Sequence, residues 1–215
     1  MHDTNPETVI LVFARAPVAG AAKTRLIPLL GAAGAAALQE RLITQALAVA
    51  RAATPHRLEL WCAPDITHPF LQTAASACGA TLRAQQGGDL GARMAHAYTA
   101  TLRSAGYVIG IGTDCPALTV QHLRAAATAL RDGHDAVFVP AEDGGYALIG
   151  LARDEPRLFD GIAWGGAQVM AQTRARLREL KLRWHELETL WDVDRPEDWQ
   201  RLQRTGLLRD APSPA

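Results

Sequence analysis

Hydrophobic and polar positions along this chain follow two alternating rhythms. "TVILVF" (8–13) is an unbroken β-prone run, the pattern of a strand buried on both faces. Beyond it, from about Gly31 to Ala53, apolar residues recur every three or four positions, with Leu38, Leu42, Ala46 and Val49 along one stripe, which predicts an amphipathic helix. The same exchange repeats down the chain. "HRLELWCA" (56–63) predicts a second strand, "HPFLQTAASACG" a helix stopped by Gly79, and "TLRAQ" a short third strand. "DLGARMAHAYTATLRSAG" (89–106) predicts a helix and "YVIGIGTD" (107–114) a strand. Thr119 is placed to cap the helix "VQHLRAAATALRDG". "DAVFVPA" and "GYALIGL" are separated only by "EDG", which predicts a hairpin or bent pair. A helix at about 166–180, a strand in "LRWHEL" and a last helix opened by "WDVDRPEDWQRLQ" complete the order.

Successive β-α-β units predict an α/β protein with a mostly parallel, doubly wound sheet. In such sheets ligands sit outside the carboxyl ends of the strands, at the switch point. The unusual residues of this chain cluster at those ends: the loop 14–26 after the first strand, Asp114 at the end of the 107–113 strand, and Asp192 and Asp194 after the last strand.

A chain of 215 residues fits one domain and buries roughly 70% of its unfolded surface without staples. The expected domain spans 1–215, with its core at about 8–204 and a frayed tail at 209–215. Lys plus Arg and Asp plus Glu both number 22, so net charge gives no argument for nucleic acid or an anionic membrane, and any anion site is local. The three cysteines, Cys62, Cys78 and Cys115, show no metal-ligand spacing. Met1 to Glu7 is polar, and no uninterrupted apolar run reaches the ~18 residues of a membrane span. A cytoplasmic protein without a span is expected, and nothing here signals an oligomeric state.

The loop "ARAPVAGAAKTRL" (14–26) invites comparison with a P-loop, but Pro17 and Ala22 stand where that motif needs glycines. Gly20 loosens the turn, and Lys23 and Arg25 can meet a di- or triphosphate, Arg with a fork of donors and Lys as a point charge. Two solvated cations before a helix is the plainer alternative. "GTDCPAL" puts Asp114 beside Thr113 at a strand end, where a carboxylate serves Mg²⁺ or Mn²⁺ or, alternatively, an Asx-turn. Asp192 and Asp194 alternate on one side of an extended segment and offer carboxylates from a second chain segment. Pro196, Glu197 and Asp198 also suit a helix start. Asp143, Gly144, Gly145 and Tyr146 in "EDGGYALIG" allow close backbone approach to a ligand, or a simple hairpin turn. Gly87, Gly88 and Asp89 before Arg93 form an anion-binding helix start or a capped helix without a ligand. Trp164 in "AWGG" reads as core or as the wall of a sugar or base pocket. No His-x-x-x-His pattern or Gly-x-Ser-x-Gly elbow is present.

Taken in order, "FARAPVAGAAKTRL", "QGGDLGARM", "GTDCPALT", "EDGGYALIGL", "IAWGGAQVMAQTRARL" and "WDVDRPEDW" resemble the small bacterial glycosyltransferase-like proteins of the arsenosugar-biosynthesis type. These belong to the nucleotide-diphospho-sugar transferase (GT-A) superfamily. The resemblance covers about residues 8–203. The "KTRL" after the first strand is also similar to the loop of phospholactate guanylyltransferases and, more loosely, of molybdenum-cofactor guanylyltransferases. The resemblance implies a single Rossmann-like GT-A domain that binds a nucleotide or nucleotide sugar with Mg²⁺ or Mn²⁺ and acts on a small-molecule acceptor. By motif, Lys23 and Arg25 would contact the phosphates, and Ala14, Gly20, Gly88, Arg93 and Thr113 are further candidates for the nucleotide and phosphate side. Asp114, Asp192 and Asp194 would be the metal-side carboxylates, with a single Asp at the strand end rather than Asp-x-Asp. Asp143, Gly144 and Gly145 would face the acceptor or sugar, with Tyr146 and Trp164 as further candidates there; Lys23, Asp114 and Asp143 are the candidate catalytic residues, although the motifs identify no acceptor base. A glycosyltransferase is the expected activity, with a nucleotidyltransferase releasing pyrophosphate and a non-catalytic nucleotide-binding protein as the alternatives.

Overall fold

The computed structural model describes residues 7–53 and 55–208; the tail expected at 209–215 lies outside them. Among the described residues seven strands form one sheet: β1 (Thr8–Arg15), β2 (Arg57–Ala63), β3 (Thr81–Ala84), β4 (Tyr107–Ile111), β5 (Ala136–Pro140), β6 (Tyr146–Leu151) and β7 (Trp184–Glu186). Their spatial order is β3-β2-β1-β4-β6-β5-β7. Every pairing is parallel except those of β6, which runs antiparallel to both β4 and β5. The bent pair expected around "EDG" is therefore the β5–β6 pair, and it reverses one strand in an otherwise parallel sheet.

Helices cover both faces. α1 (Ile27–Ala52), α2 (Pro69–Cys78) and α4 (Val120–Arg131) pack on the side reached by Ile10, Val12, Leu58, Leu60, Ile109 and Ile111. α3 (Leu90–Leu102) and α5 (Val169–Glu179) cover the other side, reached by Val9, Leu11, Trp61 and Val108. Successive residues of β1 thus feed opposite cores, which is why Val9 to Phe13 has no polar position. α6 (Pro196–Thr205) closes a third cluster of Leu26, Leu38, Leu42, Trp191, Val193 and Leu202.

The helix ends follow local chemistry. Gly79 and Gly206 end α2 and α6 in the left-handed conformation, which glycine adopts without a Cβ penalty. Thr119 opens α4, its backbone N–H donating to His122 Nδ1 at 3.0 Å. Gly31 (φ 72) interrupts α1, so the helix predicted from Gly31 onward carries an additional turn, 27–30, ahead of it. By length and composition Thr24–Ala52 could cross a membrane, with a mean hydropathy of 1.3 in its most apolar window. Alanine, leucine and isoleucine raise the mean hydropathy of this window, although polar residues such as Gln39, Glu40 and Arg41 interrupt it. In the fold this helix buries Leu38, Leu42, Ile43 and Leu47 in the core, as a core helix does.

Candidate functional site

The chain passes from β3 at one edge of the parallel block to β4 on the far side of β1, so the switch point lies between β1 and β4. A cavity of about 870 Å³ opens there, within the range of about 300–1,000 Å³ that small-molecule sites occupy. Its walls include the end of β1 (Phe13 to Arg15), the last residue of β2 and the one after it (Ala63, Pro64), the segment after β4 (Gly112 to Cys115) and the loop residues Ala21 to Arg25. Four cations, Arg15, Lys23, Arg25 and Arg93, share it with three carboxylates, Asp114, Asp192 and Asp194.

Lys23 is the pivot of this wall. It adopts the left-handed conformation (φ 46, ψ 46), an uncommon one for a residue with a side chain and sustained only where its surroundings hold it. Its side chain is 3% exposed, and the ammonium meets Asp114 Oδ1 at 2.8 Å and donates to the Val193 carbonyl at 2.7 Å. The loop after β1 is thereby pinned to the end of β4 and to the segment after β7. A backbone bond from Val193 N–H to the Asp114 carbonyl, 2.8 Å, closes the same contact. Arg25, 64% exposed, forms an ion pair with Asp194. Thr113 Oγ1 donates to Asp114 Oδ1 at 3.2 Å and accepts from Gln39 Nε2 at 3.1 Å.

Asp192 has no such partner. Its Oδ1 is buried without a hydrogen bond, although buried polar groups are nearly always paired. Burial first, then the like charges of Asp143, Asp114 and Asp194, push its carboxyl up to about 7 against the opposing pull of Lys23. The segment carrying it is braced from behind. The Arg201 guanidinium lies 4.4 Å from the Trp191 ring centroid and donates to both oxygens of Glu142 at 2.7 and 3.1 Å.

A second, smaller cavity of about 210 Å³ shares Phe13, Leu90, Gly112, Tyr146, Ala147 and Asp192 with the first. Asp143, Gly145, Tyr146 and Trp164 all line it. Asp143 Oδ1 accepts from Gly145 N–H at 2.8 Å, which fixes the turn. Tyr146 and Trp164 meet edge to face, 6.4 Å between centroids.

Of the residues expected at a site, Ala14, Lys23, Arg25, Arg93, Thr113, Asp114, Asp192 and Asp194 line the larger cavity. Gly20, Gly88 and Gly144 line neither. Gly144 (φ +91) is instead a packing position, since a Cβ there would come 2.0 Å from the Ala167 carbonyl oxygen. In the "QGGD" turn it is Gly87 (φ +140) that the backbone requires, a Cβ there meeting the start of α3 at 2.7 Å. Arg93 Nε donates to its carbonyl at 3.2 Å. The three aspartates expected as a joint metal set are not gathered as one. Among the described residues no group of three His, Cys, Asp or Glu side chains is disposed to hold a metal ion. The reason is local neutralisation, with Asp114 turned to Lys23 and Asp194 to Arg25. Sequence reasoning missed Gln39, a buried glutamine beside the apolar stripe of α1, and the apolar residues Phe13, Leu90 and Met94. A polar side chain adjoining Leu38 and Leu42 was the available signal for Gln39; the apolar residues look like any other core.

The three-layer sheet and the position of its main cavity define a domain of the nucleotide-diphospho-sugar transferase fold. A crystal structure of a candidate nucleotide-diphospho-sugar transferase from Desulfovibrio desulfuricans G20 is 32% identical, with a TM-score of 0.85 over 96% of this chain and 95% of that one. The chain belongs to the family described as "Uncharacterized protein conserved in bacteria (DUF2064)", whose pattern matches residues 46–166. More distant structures share the fold. A nucleotidyl transferase from Methanothermobacter is 14% identical, with a TM-score of 0.64 over 94% of this chain and 98% of that one. Glucosyl-3-phosphoglycerate synthase from Mycobacterium tuberculosis, solved with Mn²⁺, uridine diphosphate and glucosyl-3-phosphoglycerate, is 12% identical, with a TM-score of 0.57 over 96% and 77%. No curated protein matches the sequence.

Proposed function

We propose that this protein is a transferase that uses a nucleotide-activated donor, and that the group it transfers is a sugar. The observation that carries this reading is the larger cavity, where four cations and three carboxylates face one another at the switch point of the sheet. Such a mixed lining suits a pyrophosphate held between basic side chains and a hard cation held by carboxylate oxygens. The fold shared with nucleotide-dependent transferases supports the donor class. The six motifs resembling arsenosugar-type glycosyltransferases favour sugar over nucleotide transfer.

The residues present fit a divalent cation. Asp192 Oδ1 is buried and unpartnered, Asp114 lies close enough to shift it, and carboxylate oxygens suit Mg²⁺ or Mn²⁺. Mg²⁺ is commonly held by one or two carboxylates together with substrate phosphates and waters, so Asp114 and Asp192 suffice without Asp194. A cation held there would supply charge neutralisation on the departing nucleoside diphosphate. Arg25 and Arg93 would bind the phosphates, Arg25 by exchanging its exposed pair with Asp194 for a phosphate oxygen. Lys23 would hold the loop and Asp114 in position and add its positive charge. In the transfer the acceptor hydroxyl oxygen bonds to the anomeric carbon as the bond from that carbon to the diphosphate oxygen breaks. The hydroxyl proton passes to Asp143, and the nucleoside diphosphate leaves with the bonding electrons.

The test is binding and turnover across nucleoside triphosphates and sugar nucleotides, with and without Mg²⁺ or Mn²⁺. Metal-dependent binding and release of a nucleoside diphosphate from a sugar nucleotide support the proposal. Pyrophosphate release from a triphosphate would make the protein a nucleotidyltransferase instead, and no nucleotide binding under any condition would refute both.

A further inference from the structure

The smaller cavity has walls of a different chemistry from the larger one. Phe13, Met94, Tyr146, Ile149, Trp164 and Val169 enclose it, and its ionisable groups are Asp143 and Asp192. The one hydroxyl among those walls is already turned inward, Tyr146 Oη lying 3.9 Å from Met94 Sδ. The Trp164 indole nitrogen is packed against the first turn of α3, where a Cβ on Gly91 would come 2.3 Å from it. Tyr146 Oη thus already has a sulfur neighbour on the cavity wall, and the strong hydrogen-bond acceptors of the cavity are the Asp143 and Asp192 carboxylates.

A polyhydroxylated ring placed here would find its side-chain acceptors in Asp143 and Asp192 at one end and apolar walls elsewhere, and buried hydroxyls left unpaired are penalised. An apolar body meets no such penalty. About 210 Å³ exceeds the roughly 150 Å³ of an apolar cavity known to take benzene, so one ring with a short arm fits. The shared wall at Asp192 would turn the polar end of such a guest toward the larger cavity.

We propose that this cavity receives the acceptor, and that the acceptor is a small amphipathic alcohol with one aromatic or branched aliphatic body, not a sugar or polyol. The inference rests on the reading of the larger cavity as the donor site. Exposed Leu90, which lines both cavities at 44% exposure, and exposed Val18 on the larger one extend an apolar approach to it.

The full-length protein is titrated with 2-phenylethanol, glycerol and glucose, observed by saturation-transfer NMR, while nucleotide binding is measured separately with Mg²⁺. 2-Phenylethanol is expected to bind at millimolar concentration or better, and glycerol and glucose at least tenfold more weakly. Val169→Phe, which fills the cavity from the start of α5, is expected to weaken 2-phenylethanol at least tenfold and leave nucleotide affinity within about twofold. Val169→Ala, which should fold whether or not the larger residue does, is expected to retain the preference. Equal binding of glucose and 2-phenylethanol, or binding that Val169→Phe leaves unchanged, overturns the inference. Failure to bind any nucleotide while the Val169-sensitive preference persists overturns the donor reading and with it the acceptor role of the cavity. With a sugar nucleotide that does bind, 2-phenylethanol is expected to raise nucleoside diphosphate release at least tenfold over glycerol; no such increase removes the acceptor role alone.

Discussion

Replacing Lys23 by methionine keeps the length and most of the apolar stem of the side chain while deleting its charge and both directed contacts. Two contacts are at stake: the ion pair with Asp114 at 2.8 Å and the bond to the Val193 carbonyl at 2.7 Å. A hydrogen bond to a charged group contributes about 1.5–3 kcal/mol, and a buried carbonyl left unpaired costs about 1–3 kcal/mol. Removing one partner of a fully buried ion pair costs about 3–5 kcal/mol, but the Asp114 side chain is 51% exposed and regains water. A net loss of about 2–3 kcal/mol follows. For a domain of this size each kcal/mol lowers Tm by about 2–4 °C, so a drop of roughly 4–12 °C is expected in calorimetry, with a matching shift of the urea midpoint. A double-mutant cycle with Asp114→Asn isolates the pair, and a coupling of about 1–2 kcal/mol is expected for groups in contact. A coupling below about 0.5 kcal/mol would refute the reading of Lys23 as the strap between loop and strand end. Nucleotide affinity gives the second measurement. A fall of at least tenfold is expected; stability lost with affinity kept within twofold would make Lys23 structural alone.

Asp192→Asn is expected to stabilise the metal-free protein and to weaken metal-dependent nucleotide binding. The raised carboxyl, about 7, means the folded chain binds a proton that the unfolded chain releases above its ordinary value near 4. Stability is then greatest below that ordinary value and falls as pH rises toward 7; in calorimetry from pH 4 to 8 the variant should flatten this slope, and an unchanged slope would refute the assignment. Gly144→Ala must accommodate both φ +91 and a Cβ 2.0 Å from a backbone oxygen, so a loss of about 2 kcal/mol or more is expected in urea denaturation. Gly20→Ala, also at positive φ but in open space, should lose about 1 kcal/mol; equal losses at the two sites would show that the close contact is relieved by relaxation. Burial, reinforced by Asp65, pushes the Cys62 thiol up to about 12, which leaves a thiolate fraction on the order of 10⁻⁴ at pH 8. Iodoacetamide should therefore modify Cys62 only on unfolding, as mass spectrometry of native and urea-treated protein would show.

The pattern of the chain determined the elements and much of their order by itself. Short β-prone apolar runs such as "TVILVF" mark interior strands, and the glycine stops and the Thr119 cap act on their own neighbours. These are short-range effects, and they also place the phosphate-side residues after strands β1 and β4, because a parallel α/β sheet puts ligands there. What the sequence could not supply is how carboxylates and cations far apart in the chain divide among themselves. Asp114, Asp192 and Asp194 look equivalent in a sequence; the tertiary structure gives the first to Lys23 and the third to Arg25 and leaves Asp192 with a buried, unpaired oxygen. The same holds for the glycines. Gly87, Gly88 and Gly144 carry no mark of which one the backbone requires, since that depends on which atoms, α3 or Ala167, come to lie against them. The apolar cavity is the furthest from sequence of all. Phe13, Met94, Ile149 and Val169 are ordinary core residues by pattern, and only the meeting of β1, α3, β6 and α5 leaves a space between them.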